Sequence, residues 1–196
     1  MLLPFLFLTE KDFKRRKMLT MTSHRRHDPK FKSKHIGNRM KIRTFQMYVS
    51  SVFLYNTETW AVNKSLSDKI DSYHRRMLRY AINIKWPKKL SNEELYKRTK
   101  VTPWSQVIKR RRLTFLGHIM RRNENTPVRI ALKEALKPTR GKRGRPAITW
   151  LKTIANDLKD SDFAIDLKNP EETLQTLISV TQDRKRWREV VRTLMQ

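Results

Sequence analysis

The chain has 196 residues, no cysteine, and 45 Lys and Arg against 18 Asp and Glu, a formal net charge of +27. That length holds one domain or two small ones, and 38% apolar residues support a modest core. Without cysteine there are no disulfides, thiolate metal sites, iron–sulfur clusters or thiol nucleophile, which fits a reducing, intracellular compartment.

No apolar run approaches the ~18 residues of a membrane span. The opening apolar stretch is short, lacks a basic flank and runs straight into Glu10-Lys11-Asp12, so it reads poorly as a signal peptide. A cationic surplus this large points to a polyanion. A membrane partner calls for a basic amphipathic helix or a polybasic block beside an apolar anchor. Here the cations are spread over several segments, so the expected partner is RNA or DNA, and not a membrane. In blocks, residues 1–50 carry +10, 51–100 carry +6, 101–150 carry +11 and 151–196 carry zero. A neutral C-terminal piece beside a basic body suggests two surfaces.

In chain order, residues 1–29 alternate basic clusters with Thr, Ser and Met, without helical periodicity. They read as a flexible basic arm, whose clusters are compatible with nuclear import and a nuclear location. From residue 38, Met40, Phe45, Tyr48, Val49, Val52 and Phe53 form an apolar stripe, broken at Asn56-Thr57. Ser65 or Ser67 can cap a second helix carrying Ile70, Tyr73, Met77, Tyr80 and Ile84, with Pro87 as its stop. Ser91-Asn92-Glu93-Glu94 is a capping box, and Thr102-Pro103 opens a helix to about Arg122.

That helix carries Lys109-Arg110-Arg111-Arg112 and Arg121-Arg122 around Leu113, Phe115, Leu116, Ile119 and Met120. Four consecutive cations point all round the axis, so some must flank the buried face. Thr126-Pro127 starts another helix, ended by Pro138. Residues 138–146 are a basic Gly/Pro linker between a helical bundle over 30–137 and a small neutral helical segment over 147–196. In that segment Trp150, Ile154 and Leu158 mark one helix, Asn169-Pro170 starts the next, and Thr181 is the expected cap of the last. With no period-two alternation, the fold class is all-α, seven or eight short helices with a flexible N-terminal arm.

The search for an active site is negative. Four glycines build no phosphate loop, and the five histidines show no metal-ligand spacing. Phosphoryl-transfer sites need clustered carboxylates to hold metal ions. The nearest approach, Asp157, Asp160, Asp162 and Asp166, reads as solvent-facing and helix-end aspartates. No metal or cofactor is expected. His118 reads either as a residue at a helix crossing that Gly117 permits or as a phosphate or base contact. Arg143-Gly144-Arg145-Pro146 matches the core of an AT-hook or forms a basic turn. The five tryptophans read as core rather than as stacking platforms.

The ordered motifs are similar to a known family. The stretch from Met40 through Leu54-Tyr55-Asn56-Thr57-Glu58-Thr59-Trp60 resembles a signature that follows the polymerase palm of non-LTR (LINE-type) retrotransposon reverse transcriptases. The resemblance continues through Arg75 to Leu78, Ser91 to Glu94, Ile108 to Leu113, Phe115 to Arg121, Gly144 to Leu151 and Asp183 to Val191. It covers about residues 30–192. It implies the thumb and post-thumb region of a truncated element polyprotein: a helical bundle gripping the template–primer backbone. The endonuclease, fingers and palm have no counterpart here, and no Tyr/Phe-x-Asp-Asp motif occurs, so an inactive binding module is implied. Two positions depart from the pattern: Asn56 stands where glycine is usual, and His74 where many relatives place cysteine.

The expected nucleic-acid contacts are Arg75, Arg76, Arg79, Lys109, Arg110, Arg111, Arg112, His118, Arg121, Arg122, Arg140, Lys142, Arg143 and Arg145. Such electrostatic contacts select little by sequence. The alternatives are an exapted module whose residues 147–196 recruit a protein partner, and a genomic remnant.

Overall fold

The computed structural model describes residues 9–85, 87, 89–137, 148–159, 161, 163, 165 and 169–195. Among these every regular element is helical and no strand occurs, so the chain is all-α. No helix among them is long and apolar enough to cross a membrane. The described residues form two compact units: one within Leu8–Thr57 and Lys64–Ile108, the other within Glu58–Asn63 and Lys109–Gln196. The division therefore falls at Ile108, inside a helix; the linker expected at 138–146 lies outside the described residues.

The first unit holds α1 (Thr9–Arg26), α2 (Asp28–Lys32), α3 (Asn38–Thr44), α4 (Ser51–Phe53), α5 (Lys64–Ala81) and α6 (Asn92–Thr99). The expected flexible arm is corrected: residues 9–26 are an eighteen-residue helix. Acids at 10 and 12 and cations at 24–26 complement its dipole. Its buried face is Phe13, Thr20 and His24, two of them polar, which is why no apolar stripe announced it. Beside that face the exposed Lys17 holds its Nζ 5.2 Å from the Tyr73 ring centroid, and its carbonyl accepts from the Tyr73 hydroxyl at 3.0 Å.

A π-helical stretch, Phe45–Ser50, joins α3 to α4 without leaving helical dihedrals. Its wider turn brings Phe45, Val49 and Phe53 to full burial at spacings of four, while Met40 and Tyr48 of the expected stripe face solvent. Asn56 adopts φ 59°, the left-handed conformation for which the resemblance has glycine. α5 ends at Ala81, before Pro87, because Asn83 is left-handed at φ 58° and the Ile84 amide donates back to the Arg79 carbonyl at 2.9 Å. The capping box behaves as read: Ser91 Oγ accepts from the Glu94 amide at 3.1 Å.

The second unit receives most of α7 (Trp104–Met120), with α8 (Pro127–Leu136), α9 (Trp150–Leu158), α10 (Pro170–Gln182) and α11 (Arg184–Thr193). Leu113, Leu116, Ile119 and Met120 of α7 share one core with Leu132, Trp150, Ile154, Leu177, Trp187 and Val191. The C-terminal segment is thus built into the α7 core and is not a free-standing piece. α11 is capped by Asp183, whose carboxylate accepts from the Lys185 amide at 2.7 Å. Thr181 lies instead inside α10, buried, donating to the Leu177 carbonyl at 2.6 Å.

Candidate nucleic-acid interface

In the second unit the outer side of α7 carries Arg110, Thr114 and His118 at four-residue spacing, with Arg121 just past the helix end. α11 carries Arg184, Arg188 and Arg192 at the same spacing, which puts all three on one exposed face. The two faces meet because residue 117 is glycine. A Cβ there would stand 2.5 Å from Trp187 Cδ1 and 3.1 Å from Arg121 Nη1. Trp187 fills that gap and donates from Nε1 to the Leu113 carbonyl at 3.0 Å.

Between the two faces runs a groove of about 690 Å³. Arg110, Thr114, His118 and Arg121 form one wall, Arg184, Arg188 and Arg192 the other, and Trp187, Val191 and Met195 the apolar base. None of these lining residues is acidic. A second recess of about 490 Å³ lies against the same α7 stripe, with Arg111, Phe115 and Glu58 added. Arg121 is half-buried and donates from Nη1 to the Thr181 carbonyl at 2.9 Å. Burial, followed by the neighbouring Arg184 and Arg188 charges, lowers its pKa. Guanidiniums crowded together with no acid among the described lining residues favour a polyanion, to which they can offer charge-assisted forked hydrogen bonds.

Several expected contacts fall into this arrangement and others do not. Arg110 and Arg111 are exposed on the stripe; Lys109 is half-buried, its Nζ 3.5 Å from the Leu194 carbonyl. His118 is exposed and accepts on Nε2 from Arg122 Nε at 3.2 Å. Arg112 is corrected. It is 3% exposed, and its Nε and Nη2 reach Asp157 Oδ2 at 2.7 and 2.6 Å while Nη1 donates to the Trp60 carbonyl at 3.2 Å. Pointing inward from the same helix turn, it is a structural cation and touches no outside phosphate.

Arg75, Arg76 and Arg79 belong to the other unit. There Arg76 Nε donates to the Tyr80 hydroxyl at 3.1 Å, and Arg79 Nη2 donates to Asn92 Oδ1 at 2.8 Å and to the Leu90 carbonyl at 3.0 Å. Arg140, Lys142, Arg143 and Arg145 lie outside the described residues, as do Trp86, Asp160, Asp162 and Asp166. Trp60, Trp104, Trp150 and Trp187 are core residues, each buried. Asp157 serves Arg112, and among the described residues no group of three or more His, Asp or Glu could hold a metal ion.

The residues missed in the sequence are Arg184, Arg188 and Arg192. Their signal was the four-residue repeat, hidden because acids elsewhere in 151–196 cancel them in a block count. Within α11 itself five cations accompany one acid, Glu189.

Fold and site define an all-helical chain with a cationic groove built from two helices. The chain is 24% identical over 160 residues to an uncharacterized transposon-derived protein of Caenorhabditis elegans, an overlap of 79% of this chain and 54% of that protein. It thus spans about half the length of the relative it matches. No protein-family model matches the chain, and no solved structure does.

Proposed function

We propose that this chain is a nucleic-acid-binding module of transposable-element origin, related to the thumb region of non-LTR reverse transcriptases, which grips a template–primer backbone and performs no phosphoryl transfer itself. The observation that carries the reading is the groove between α7 and α11, in which Arg110, Arg121, Arg184, Arg188 and Arg192 converge without an acid among the described lining residues. The similarity to a transposon-derived protein supports the origin. The ordered motifs, from Leu54-Tyr55 through Asp183-Arg184, support the reverse-transcriptase kinship. A nuclear location belongs to the same reading.

The grip is a set of guanidinium–phosphate contacts, and each contact releases condensed counter-ions. Anisotropy of a labelled template–primer hybrid, titrated with the chain, measures this. If six to ten phosphates are neutralised, affinity falls ~10³–10⁵-fold between 50 and 200 mM salt. A slope near zero sinks the reading. Primer extension with this chain is expected to yield no product with any divalent metal, because no Asp-Asp motif is present to hold one.

A further inference from the structure

The first unit carries exposed aromatic rings that the groove does not use. Tyr48 is 45% exposed and Tyr55 66%, whereas the described tryptophans are core. Each of these tyrosines has a basic side chain laid against it from α1 or α2. Arg16 Cζ stands 4.7 Å over the Tyr55 ring. The His27 ring stacks on Tyr48 at 4.5 Å between centroids, with the planes 21° apart, and Lys30 Nζ lies 5.8 Å from the same ring. His27 is itself held in place by Nδ1 donating to the Ser23 carbonyl at 2.9 Å.

Backbone contacts fix the spacing of the two rings. Ser23 Oγ donates to the Tyr48 carbonyl at 2.6 Å, and Arg16 Nη1 reaches the Val52 carbonyl at 3.5 Å. Arg16 and Ser23 lie two turns apart on α1, about 10 Å along its axis. Ser51, small and exposed, falls between the tyrosines at spacings of three and four. On α1 the solvent side of this row, away from the buried Phe13, Thr20 and His24, carries Arg15, Leu19 and Arg26, all exposed. The 45–55 run contains no acid, and α1 contains two. Asp12, its side chain 14% exposed, lies 3.8 Å from Arg16 Nε, and Glu10 is 4.0 Å from Lys69 Nζ on α5. Beside the rings Arg15, Arg16, Arg26 and Lys30 therefore outnumber Asp12.

We propose that this ledge binds single-stranded nucleic acid, with unpaired bases stacking on Tyr48 and Tyr55 while Arg15, Arg16, Arg26 and Lys30 hold the backbone phosphates. Stacking needs a free base face. A duplex offers one only at its ends, because its bases lie about 3.4 Å apart along each strand. Rings two helical turns apart on a cationic strip suit a strand that is unstacked and extended. Every base has a π-face, so the ledge selects an unpaired strand over a duplex and reads little sequence. An acidic peptide would satisfy the cations but leave the rings bare. The ledge lies wholly in the first unit and stands whether or not the α7–α11 groove grips a duplex.

NMR of the full chain with labelled tyrosine rings reads the ledge directly. A short oligo(dT) should shift the Tyr48 and Tyr55 ring protons upfield and leave those of Tyr73 and Tyr96 in place. Inorganic polyphosphate, an acidic peptide and a blunt-ended duplex should not reproduce the shift. Rings unmoved by oligo(dT), or moved equally by polyphosphate or the peptide, overturn stacking; an equal response to the duplex overturns the choice of single strand. Affinity for oligo(dT) is then measured in a chain carrying Arg184→Gln and Arg188→Gln, which weakens the groove. There Tyr55→Ala, an exposed change that spares the core, should reduce affinity at least about fivefold, and Tyr55→Phe should keep it. Unaltered affinity in Tyr55→Ala, or equal loss in both variants, counts against the proposal. A flat salt dependence for the duplex with responsive tyrosines would remove the groove's grip and leave the ledge.

Discussion

Arg112 and His74 are buried groups of the kind that usually avoid interiors. The Arg112 guanidinium spends Nε, Nη1 and Nη2 on Asp157 and Trp60. Burial, the larger influence, pushes the Asp157 carboxyl above its ordinary value although Arg112 draws it down. The pair is therefore poorly repaid for its desolvation, yet removing one member leaves a worse state, an unpaired buried charge. Asp157→Ala should cost about 3–5 kcal/mol in urea unfolding, whereas replacing both residues by apolar ones of similar volume should cost far less. His74 is 0% exposed, stacked 4.5 Å from Trp104. Burial, and secondarily Arg75, lowers its pKa to about 3. Because the folded value lies below the unfolded one, this contribution is full above pH 6.5 and is lost as pH falls toward 3. Between pH 7 and 5 that amounts to about 2 kcal/mol. Urea midpoints of the native chain and His74→Phe should converge across that window; parallel pH dependence would refute the assignment. Neither role was legible in sequence. Four consecutive cations reveal that one must turn inward, not which, and a histidine on an apolar stripe looks the same whether neutral or charged.

Among the elements, α7 and α11 depend on a missing side chain. Glycine in a helix interior costs about 1 kcal/mol relative to alanine, and here the sacrifice lets the Trp187 indole lie against the α7 backbone. Gly117→Ala regains that propensity but drives its methyl into the indole. The net expected effect is a loss of about 1–3 kcal/mol, with the groove opened and nucleic-acid affinity reduced alongside. A variant as stable as the native chain would show that the two helices do not pack through this contact. The crossing was readable from Gly117 beside a histidine, and the cap at Ser91 and the helix start at Thr126-Pro127 likewise, because such signals act locally. α1 was not readable. Its buried side chains are Phe13, Thr20 and His24, so most of that face is of residues that hydropathy counts as polar. The π-helical stretch was equally hidden, since no residue type demands it and only the stacking of Phe45 and Phe53 on Trp104 accompanies it.

At the scale of the whole molecule the charge of +27 is real but unevenly committed. Arg112 is buried in a pair, Arg129 and Lys41 are buried as well, and others bind carbonyls, so net charge overstates the number of phosphates that can be neutralised. The all-helical class followed directly from the absence of period-two patterning. The division into two compact units at Ile108 did not, because it falls within the unbroken helix α7, where no change of composition marks it. This distribution yields the sharpest test of the grip. Each phosphate contact contributes about 0.9 to the slope of log affinity against log salt for duplex nucleic acid. Replacing Arg110, Arg121, Arg184 and Arg188 together by Gln removes four cations from one groove and none from the first unit. If all four reach phosphates, the slope should flatten by roughly three to four. The same number of substitutions at exposed cations of α6 and the residues beside it, Lys89, Lys97, Arg98 and Lys100, changes net charge equally. If attraction were only the general field of a basic chain, the two quadruple variants would lose slope alike. A groove that engages the backbone makes the first far more damaging than the second.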